Sequence, residues 1–244
     1  MIYNCASHIG KVRKNNEDYC KGEIIDTDFG SVGIFALADG MGGHNAGEVA
    51  SKMAAEGIVN YVGENFSENT KDVVLKNAIE KVNKDIYLHS LKNDSLSGMG
   101  TTITACLITK DWIKIANVGD SSCFGITNNE IIKITKDHSL VQELVDSGSI
   151  SENEAANHPK KNIITRAIGT SDKVDVDIFD IIENKYNKYV LCSDGLTNEL
   201  TKEDIIEVIN EEKDLSLACE RLVNIAKYKG GRDNITVLLF GGEM

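Results

Sequence analysis

Apolar and polar positions change their rhythm several times along this chain, and the changes mark its elements. Ile2–Ser7 reads as a short strand. Tyr19–Ile25 and Ser31–Ala38 read as the two strands of a hairpin, joined by the polar stretch Asp26–Gly30. From Ala46 to Phe66 the period lengthens. Ala46, Val49, Ala50, Met53, Ala54, Gly57, Ile58, Tyr61 and Val62 recur at steps of three and one, which predicts a helix with one apolar stripe. A second helix is predicted from Lys71 to Leu91, with Thr70 as N-cap and Val74, Ala78, Val82 and Ile86 on its buried face. Two hairpins follow, 101–108 with 112–118 and 122–127 with 130–134. Both are short and rich in Ile, Val and Thr.

From Lys136 to Thr165 the pattern turns polar, with short helical pieces. Ser151–Glu154 is a capping box whose helix must end before Pro159. An irregular segment of this length within a compact domain is often a functional flap. Strands return at Val174–Ile182 and Lys188–Cys192. Thr201–Asp204 opens a helix over Ile205, Ile206 and Ile209, and a further helix carries Leu215, Ala218, Cys219, Leu222, Val223 and Ala226. Asn234–Phe240 is the last predicted strand. Strands and helices come in blocks rather than in strict alternation, which predicts an α+β fold of antiparallel sheets covered by helices.

Composition narrows the function classes. The 244 residues are 41% hydrophobic and 26% charged, enough for a sizeable core, and no Pro- or Ser-rich linker or repeat divides them. A single domain over residues 1–244 is expected. The net charge of −12 argues against a nucleic-acid surface. It leaves an anionic substrate open, because bound divalent cations reverse the local field. No apolar run approaches the ~20 residues of a membrane span. Met1–Cys5 lacks a basic region followed by an apolar stretch, so no signal peptide is expected. Six scattered cysteines (Cys5, Cys20, Cys106, Cys123, Cys192, Cys219) without any Cys-x-x-Cys are expected to be reduced thiols of a cytoplasmic protein rather than a zinc site.

The candidate chemistry centres on residues 34–51. The apolar run Ile34–Ala38 delivers Asp39, and four glycines (Gly40, Gly42, Gly43, Gly47) precede a helix. Glycines let the chain turn sharply and let a ligand approach the main chain. Asp39 either caps the turn or presents oxygen to a hard cation. Similar designs recur. Asp194 follows Val190–Ser193, Asp120 follows Ile115–Gly119, and Asp233 precedes Asn234–Thr236. One such Asp is ordinarily a turn residue. Four at strand boundaries fit an oxygen-ligand cluster. Carboxylates and carbonyls without His or Cys point to magnesium or manganese.

These stretches, taken in order, resemble a known family. Arg13–Asp18, Ala38–Gly43, Gly98–Thr102, Val118–Ser121, Asp137–Ser139, Ile164–Gly169, Cys192–Gly195 and Gly231–Thr236 are similar to the motif set of the PPM family. These are the metal-dependent protein serine/threonine phosphatases of the protein phosphatase 2C type, and the likeness is to compact stand-alone bacterial members. The resemblance implies a four-layer αββα fold: a sandwich of two antiparallel sheets with a helical pair on each face, and a flap at 136–165. It implies two divalent ions, Mn2+ or Mg2+. Asp39 would bridge them, Asp194 and Asp233 would hold the first, and the Gly40 carbonyl the second. Glu17 and Asp18 would act through water, and Asp120 with Asp194 would form a weaker third site. Arg13 would grip the substrate phosphate.

The reaction so implied is hydrolysis of phosphoserine and phosphothreonine in proteins, by a metal-activated water that attacks phosphorus directly. The implied partners are phosphorylated proteins, among them a serine/threonine kinase and its substrates; a monomer is expected. Two other functions compete: a catalytically silent phosphoprotein-binding module, and a hydrolase of small phosphate esters. Against the family pattern, Met41 stands where many eukaryotic members have His, Ser122 where members commonly have Arg, and Asn198 where some carry Asp. Taken without the motif set, Arg13 reads as a surface residue pairing with Glu17. His44 reads as a helix-start residue, and His138 as an organiser of the flap base.

Overall fold

A computed structural model describes residues 1–28, 30–41, 46–182 and 185–242. Two antiparallel sheets face each other. One runs β1 (Ile2–His8), β11 (Ile235–Gly241), β10 (Lys188–Cys192), β7 (Ser122–Ile126) and β8 (Ile131–Lys133). The other runs β2 (Asp18–Thr27), β3 (Gly30–Met41), β5 (Ile103–Ile108), β6 (Trp112–Val118) and β9 (Asp177–Ile182), with β4 (Gly100–Thr101) pairing β3. Helices α1 (Ala46–Asn65) and α2 (Val74–Ser90) cover the second sheet, and α6 (Lys202–Glu211) and α7 (Leu215–Lys229) cover the first. Between them lie α3 (Leu140–Asp146) and α4 (Glu152–Ala156) of the flap, and α5 (Asp194–Thr197) directly after β10.

The predicted α+β sandwich is therefore the observed fold. Three apolar layers separate its four layers of structure. Ile34, Ala36 and Ala38 of β3 pack with Ala50, Ala54 and Ile58 of α1. Val237 and Leu239 of β11 pack with Ala218, Leu222 and Ala226 of α7. Between the sheets, Phe35 stacks on Phe240 with ring centroids 4.3 Å apart, and Phe240 on Tyr189 at 5.3 Å. Successive residues of β3 thus alternate between two buried faces. This is why Ile34–Ala38 reads as one continuous apolar run rather than as an alternating strand.

Several elements depart from the expectations. α2 starts at Val74, not Lys71, and Val73 caps it without a side-chain bond. Thr70 instead turns back on Ser67, accepting from its N–H at 2.9 Å. The buried side of α1 is wider than the predicted stripe, since Gly47, Ser51, Ala55 and Val59 are buried too. A helix wedged between a sheet and a second helix needs two contact faces. β9 begins at Asp177 rather than Val174. Cys5 and Cys20, expected as free thiols, are joined in a disulfide between β1 and β2, which lie at the same edge of the two facing sheets. The other four cysteines are free and buried. The capping boxes at Ser151–Glu154 and Thr201–Asp204 are both formed. Gly42, Gly43 and His44 lie outside the described residues.

Two glycines allow main chains to meet at the end of the sandwich. A Cβ on Gly40 would lie 2.2 Å from the carbonyl oxygen of Gly47 and 2.6 Å from that of Glu17. On Gly195 it would lie 1.9 Å from the carbonyl oxygen of Asn234. Backbone cannot swing aside as a side chain can. Gly195→Ala should therefore cost about 1–3 kcal/mol of stability, the usual range for overpacking. For a chain of this size that is a fall of at least ~2 °C in melting temperature. Calorimetry checks it, and an unchanged melting curve would count against so tight a contact.

Candidate active site

The acidic residues meet because strand ends from both sheets reach one end of the sandwich. Asp18 opens β2 and Asp39 lies near the end of β3, and the two are direct partners in the β2–β3 ladder. Asp194 leaves β10 at the start of α5, and Asp233 precedes β11. Asp120 sits in the turn that carries the chain from β6 in one sheet to β7 in the other. The predicted carboxylates are thus gathered from five distant points of the sequence.

Main-chain bonds hold the gathering in place. The N–H of Asp39 donates to Thr102 Oγ1 at 3.0 Å. Its carbonyl accepts from Thr101 Oγ1 at 2.8 Å and from the Thr102 N–H at 2.9 Å. The N–H of Gly40 donates to the Glu17 carbonyl at 3.0 Å, and the Glu17 N–H to Asn234 Oδ1 at 2.8 Å. Asn234 also donates through Nδ2 to the carbonyls of Ile9 and Asn15, each at 3.0 Å. One side chain therefore ties the 9–17 loop to the start of β11. Asn234, Thr101 and Thr102 are thus structural hydrogen-bonders beside the carboxylates. Ser193, to which the sequence pattern assigned no role, donates to Asp18 Oδ2 at 2.7 Å. Its only signal was its place beside Asp194.

The electrostatics are those of crowded, partly buried like charges. Burial, then the charges of Asp194 and Asp233, push Asp18 up to about 7, although Ser193 donates to it. Burial lifts Asp39 well above the usual carboxylate range, helped by Asp18, Asp194, Asp120 and Asp233. Asp120 is pushed up to about 7 by burial and then by Asp194. Burial and Asp233 push Asp194 up to about 6, against the hydrogen bond from Asn198 Nδ2 at 3.0 Å. Glu17 is raised by burial and partly relieved by Arg13.

Arg13 is a cation at the edge of this cluster. Its guanidinium donates to Asp233 Oδ2 at 2.6 Å, not to Glu17 as the isolated reading suggested, and its side chain is 50% exposed. The hydrogen bond with Asp233 holds it more firmly protonated.

Oδ1 of Asp18, of Asp120 and of Asp194 is buried without any hydrogen-bond partner. A buried carboxylate oxygen left without a donor is costly, and a hard cation is the partner that suits an all-oxygen set. The residues present therefore fit a divalent ion. Among the described residues, no three His, Cys, Asp or Glu side chains stand as a closed ligand group. Asp233 is turned to Arg13 instead.

The flap is a closed excursion over this end. Its neck is pinned by the Thr165 N–H donating to the His138 carbonyl at 2.9 Å and by the bridge of Ser139 with Ile164. His138 accepts from the Gly119 N–H through Nδ1 at 3.0 Å and lies 3.1 Å from Asp177 Oδ2 through Nε2. It therefore anchors the flap beside Asp120. At the far side, Lys161 Nζ donates to Asn198 Oδ1 at 2.9 Å.

Comparison with known proteins agrees with this arrangement. Residues 6–227 match the family described as "Protein phosphatase 2C". The serine/threonine phosphatase stp of Listeria welshimeri is 40% identical over 233 residues, covering 94% of this chain and 91% of that protein. The structure of serine/threonine phosphatase Stp1 from Staphylococcus aureus superposes with a TM-score of 0.90 at 34% identity, covering 99% of this chain and 95% of the other. The catalytic domain of the serine/threonine protein phosphatase PstP in complex with 2 manganese ions superposes with a TM-score of 0.84 at 33% identity, covering 98% and 96%.

Proposed function

We propose, from the premise that this chain belongs to the protein phosphatase 2C family and is a protein serine/threonine phosphatase, that residues 1–244 form one phosphatase domain with its reaction centre at Asp39. The activity depends on a divalent metal, manganese being the ion carried by the PstP relative. Asp39, Asp194, Asp233 and the Gly40 carbonyl would hold two such ions, Mn2+ or Mg2+, with Asp39 shared between them. Glu17 and Asp18 would support the set through water, and Asp120 with Asp194 would offer a weaker third position. When bound, such ions make hydroxide available at neutral pH and orient it toward phosphorus.

The chain's own residues do the rest. Thr101 and Thr102 fix both ends of the Asp39 peptide unit, so its carboxylate enters from a rigid strand end. Ser193 aims Asp18. Arg13 presents a planar fork that matches two phosphate oxygens and offsets their charge. The substrates are phosphoproteins, and the implied counterpart is a serine/threonine kinase together with its targets.

The observation that supports this assignment most directly is that three of the site's own carboxylate oxygens, on Asp18, Asp120 and Asp194, are buried without a partner. The test is phosphate release from a phosphothreonine peptide with manganese and with EDTA, beside a small ester such as p-nitrophenyl phosphate. Metal-dependent turnover of the peptide supports the assignment. Peptide binding with no turnover in any metal would favour the silent reader, and turnover of the small ester alone would favour a small-ester hydrolase. Arg13→Ala should raise the peptide KM about tenfold, since a charge-assisted hydrogen bond contributes ~1.5–3 kcal/mol. Steady-state kinetics reads this, and an unchanged KM would remove Arg13 from the phosphate site.

A further inference from the structure

Two stretches at the rim of the site carry a charge opposite to that of the whole molecule. The chain has 38 acidic and 26 basic residues. Yet residues 9–16 and 225–232 together hold six cations and no acid: Lys11, Arg13, Lys14, Lys227, Lys229 and Arg232. The fold lays these stretches against each other. The Lys11 N–H donates to the Gly231 carbonyl at 2.7 Å, and its ammonium to the Tyr228 carbonyl at 3.3 Å. The same ammonium lies 5.8 Å from the centroid of the Tyr228 ring. Arg13 and Asp233, the pair at the reaction centre, join the two stretches at their inner end.

Some of these cations are already neutralised. Lys229 pairs with Asp204, and Arg232 lies 3.9 Å from Glu199. Among the described residues, Lys11, Lys14 and Lys227 pair with no carboxylate. Exposed apolar groups sit among them: Val12 is 67% exposed and Tyr228 85%. Lys11 docks the two stretches through Tyr228, but like charges gathered at close range oppose the fold. The other side of the site is different. The cavity of about 530 Å³ under the flap has Lys133, Lys161 and Lys202 among its walls, but also Asp137 and Glu152. Lys133 there is taken by both oxygens of Asp137, at 2.6 and 2.7 Å.

We propose that the rim formed by Lys11, Lys14, Lys227 and Tyr228 binds an acidic segment of the substrate polypeptide, rich in Asp or Glu and close in sequence to the phosphorylated residue. This rests on the phosphatase reading above and extends it to substrate choice. A chain whose phosphate lies at Arg13 passes over Val12 and Lys14 if it leaves the cleft on this side, and an extended chain gains ~3.3–3.6 Å per residue. A few residues of acidic flank therefore suffice to reach the rim. Complementary charge at such a rim acts chiefly on encounter and selection of partner, and salt weakens it.

The test compares kcat/KM, in manganese, for three phosphothreonine peptides: neutral flanks, acidic residues before the phosphothreonine, and acidic residues after it. p-Nitrophenyl phosphate serves as a substrate without flanks. One acidic peptide should be preferred about tenfold over the neutral one at low salt, with the gain in KM and much of it lost at high salt. The double variant Lys14→Gln, Lys227→Gln should bring that ratio to about twofold or less, leaving p-nitrophenyl phosphate and the neutral peptide unchanged. Fluorescence anisotropy of the same labelled peptides reads the rim independently of turnover, so a failure of catalysis stays distinct from a failure of this proposal. Equal affinity and equal kcat/KM for acidic and neutral peptides in the wild-type protein would overturn it. So would a preference that survives in the double variant.

Discussion

Asp39→Asn should all but abolish phosphate release while making the metal-free protein harder to melt. The two effects have one cause. Asp39 is crowded by Asp18, Asp194, Asp120 and Asp233, and burial together with those charges lifts its carboxyl well above the ordinary range. Asparagine keeps the shape and one acceptor oxygen but removes the charge. Without a cation, that relieves repulsion. With one, it removes the ligand that both proposed ions would share. The backbone at this position is held by Thr101 and Thr102 through main-chain atoms, so the substitution leaves the strand end where it was. The loss of turnover should be about 100- to 1,000-fold, as when electrostatic groups at a reaction centre are removed. Phosphate release in manganese and calorimetry in EDTA measure the two halves. A variant that keeps a tenth of the activity, or one that melts lower in EDTA than the wild type, would sink the assignment of Asp39 as the shared ligand.

Much of this site could be read from the sequence because its parts sit where apolar runs stop. Ile34–Ala38 before Asp39, and Val190–Ser193 before Asp194, are central strands buried on both faces, and a strand end is where a carboxylate can reach solvent without leaving the scaffold. The ordered motifs then linked stretches that no local pattern connects. Other features depend on tertiary pairing and left little local trace. Arg13 bonds Asp233, 220 residues away, because Asn234 ties the 9–17 loop to the start of β11. Thr70 had a good N-cap composition, but Ser67 offered it a closer partner. Cys5 and Cys20 look unrelated in sequence and meet only because β1 and β2 are edge strands on the same side of facing sheets. The basic rim was visible as composition, but its meaning needed the contact between residues 11 and 231.

In EDTA, the protein should lose thermal stability as the pH rises from about 5 to 7.5, and manganese should reverse the trend. An unfolded aspartate titrates near 3.9. In the folded chain Asp194 is pushed up to about 6, and Asp18 and Asp120 to about 7, with burial the largest cause each time. Between ~4 and ~7 the folded protein therefore holds protons that the unfolded chain has released. Stability then falls with rising pH, because its slope follows the protons bound by the unfolded state minus those bound by the native state. The contribution is complete below the unfolded value and is lost as pH passes through the folded values. A drop on the order of 5 °C across this window is expected for a chain of this size. Cations compete with protons for the same oxygens, so manganese should raise the melting temperature more at pH 7.5 than at pH 5.5. Asp120→Asn should flatten part of the slope in EDTA, which assigns the slope to this cluster rather than to carboxylates elsewhere. A melting temperature that is level with pH in EDTA and indifferent to manganese at pH 7.5 would mean that these carboxylates neither carry the strain nor hold the ion.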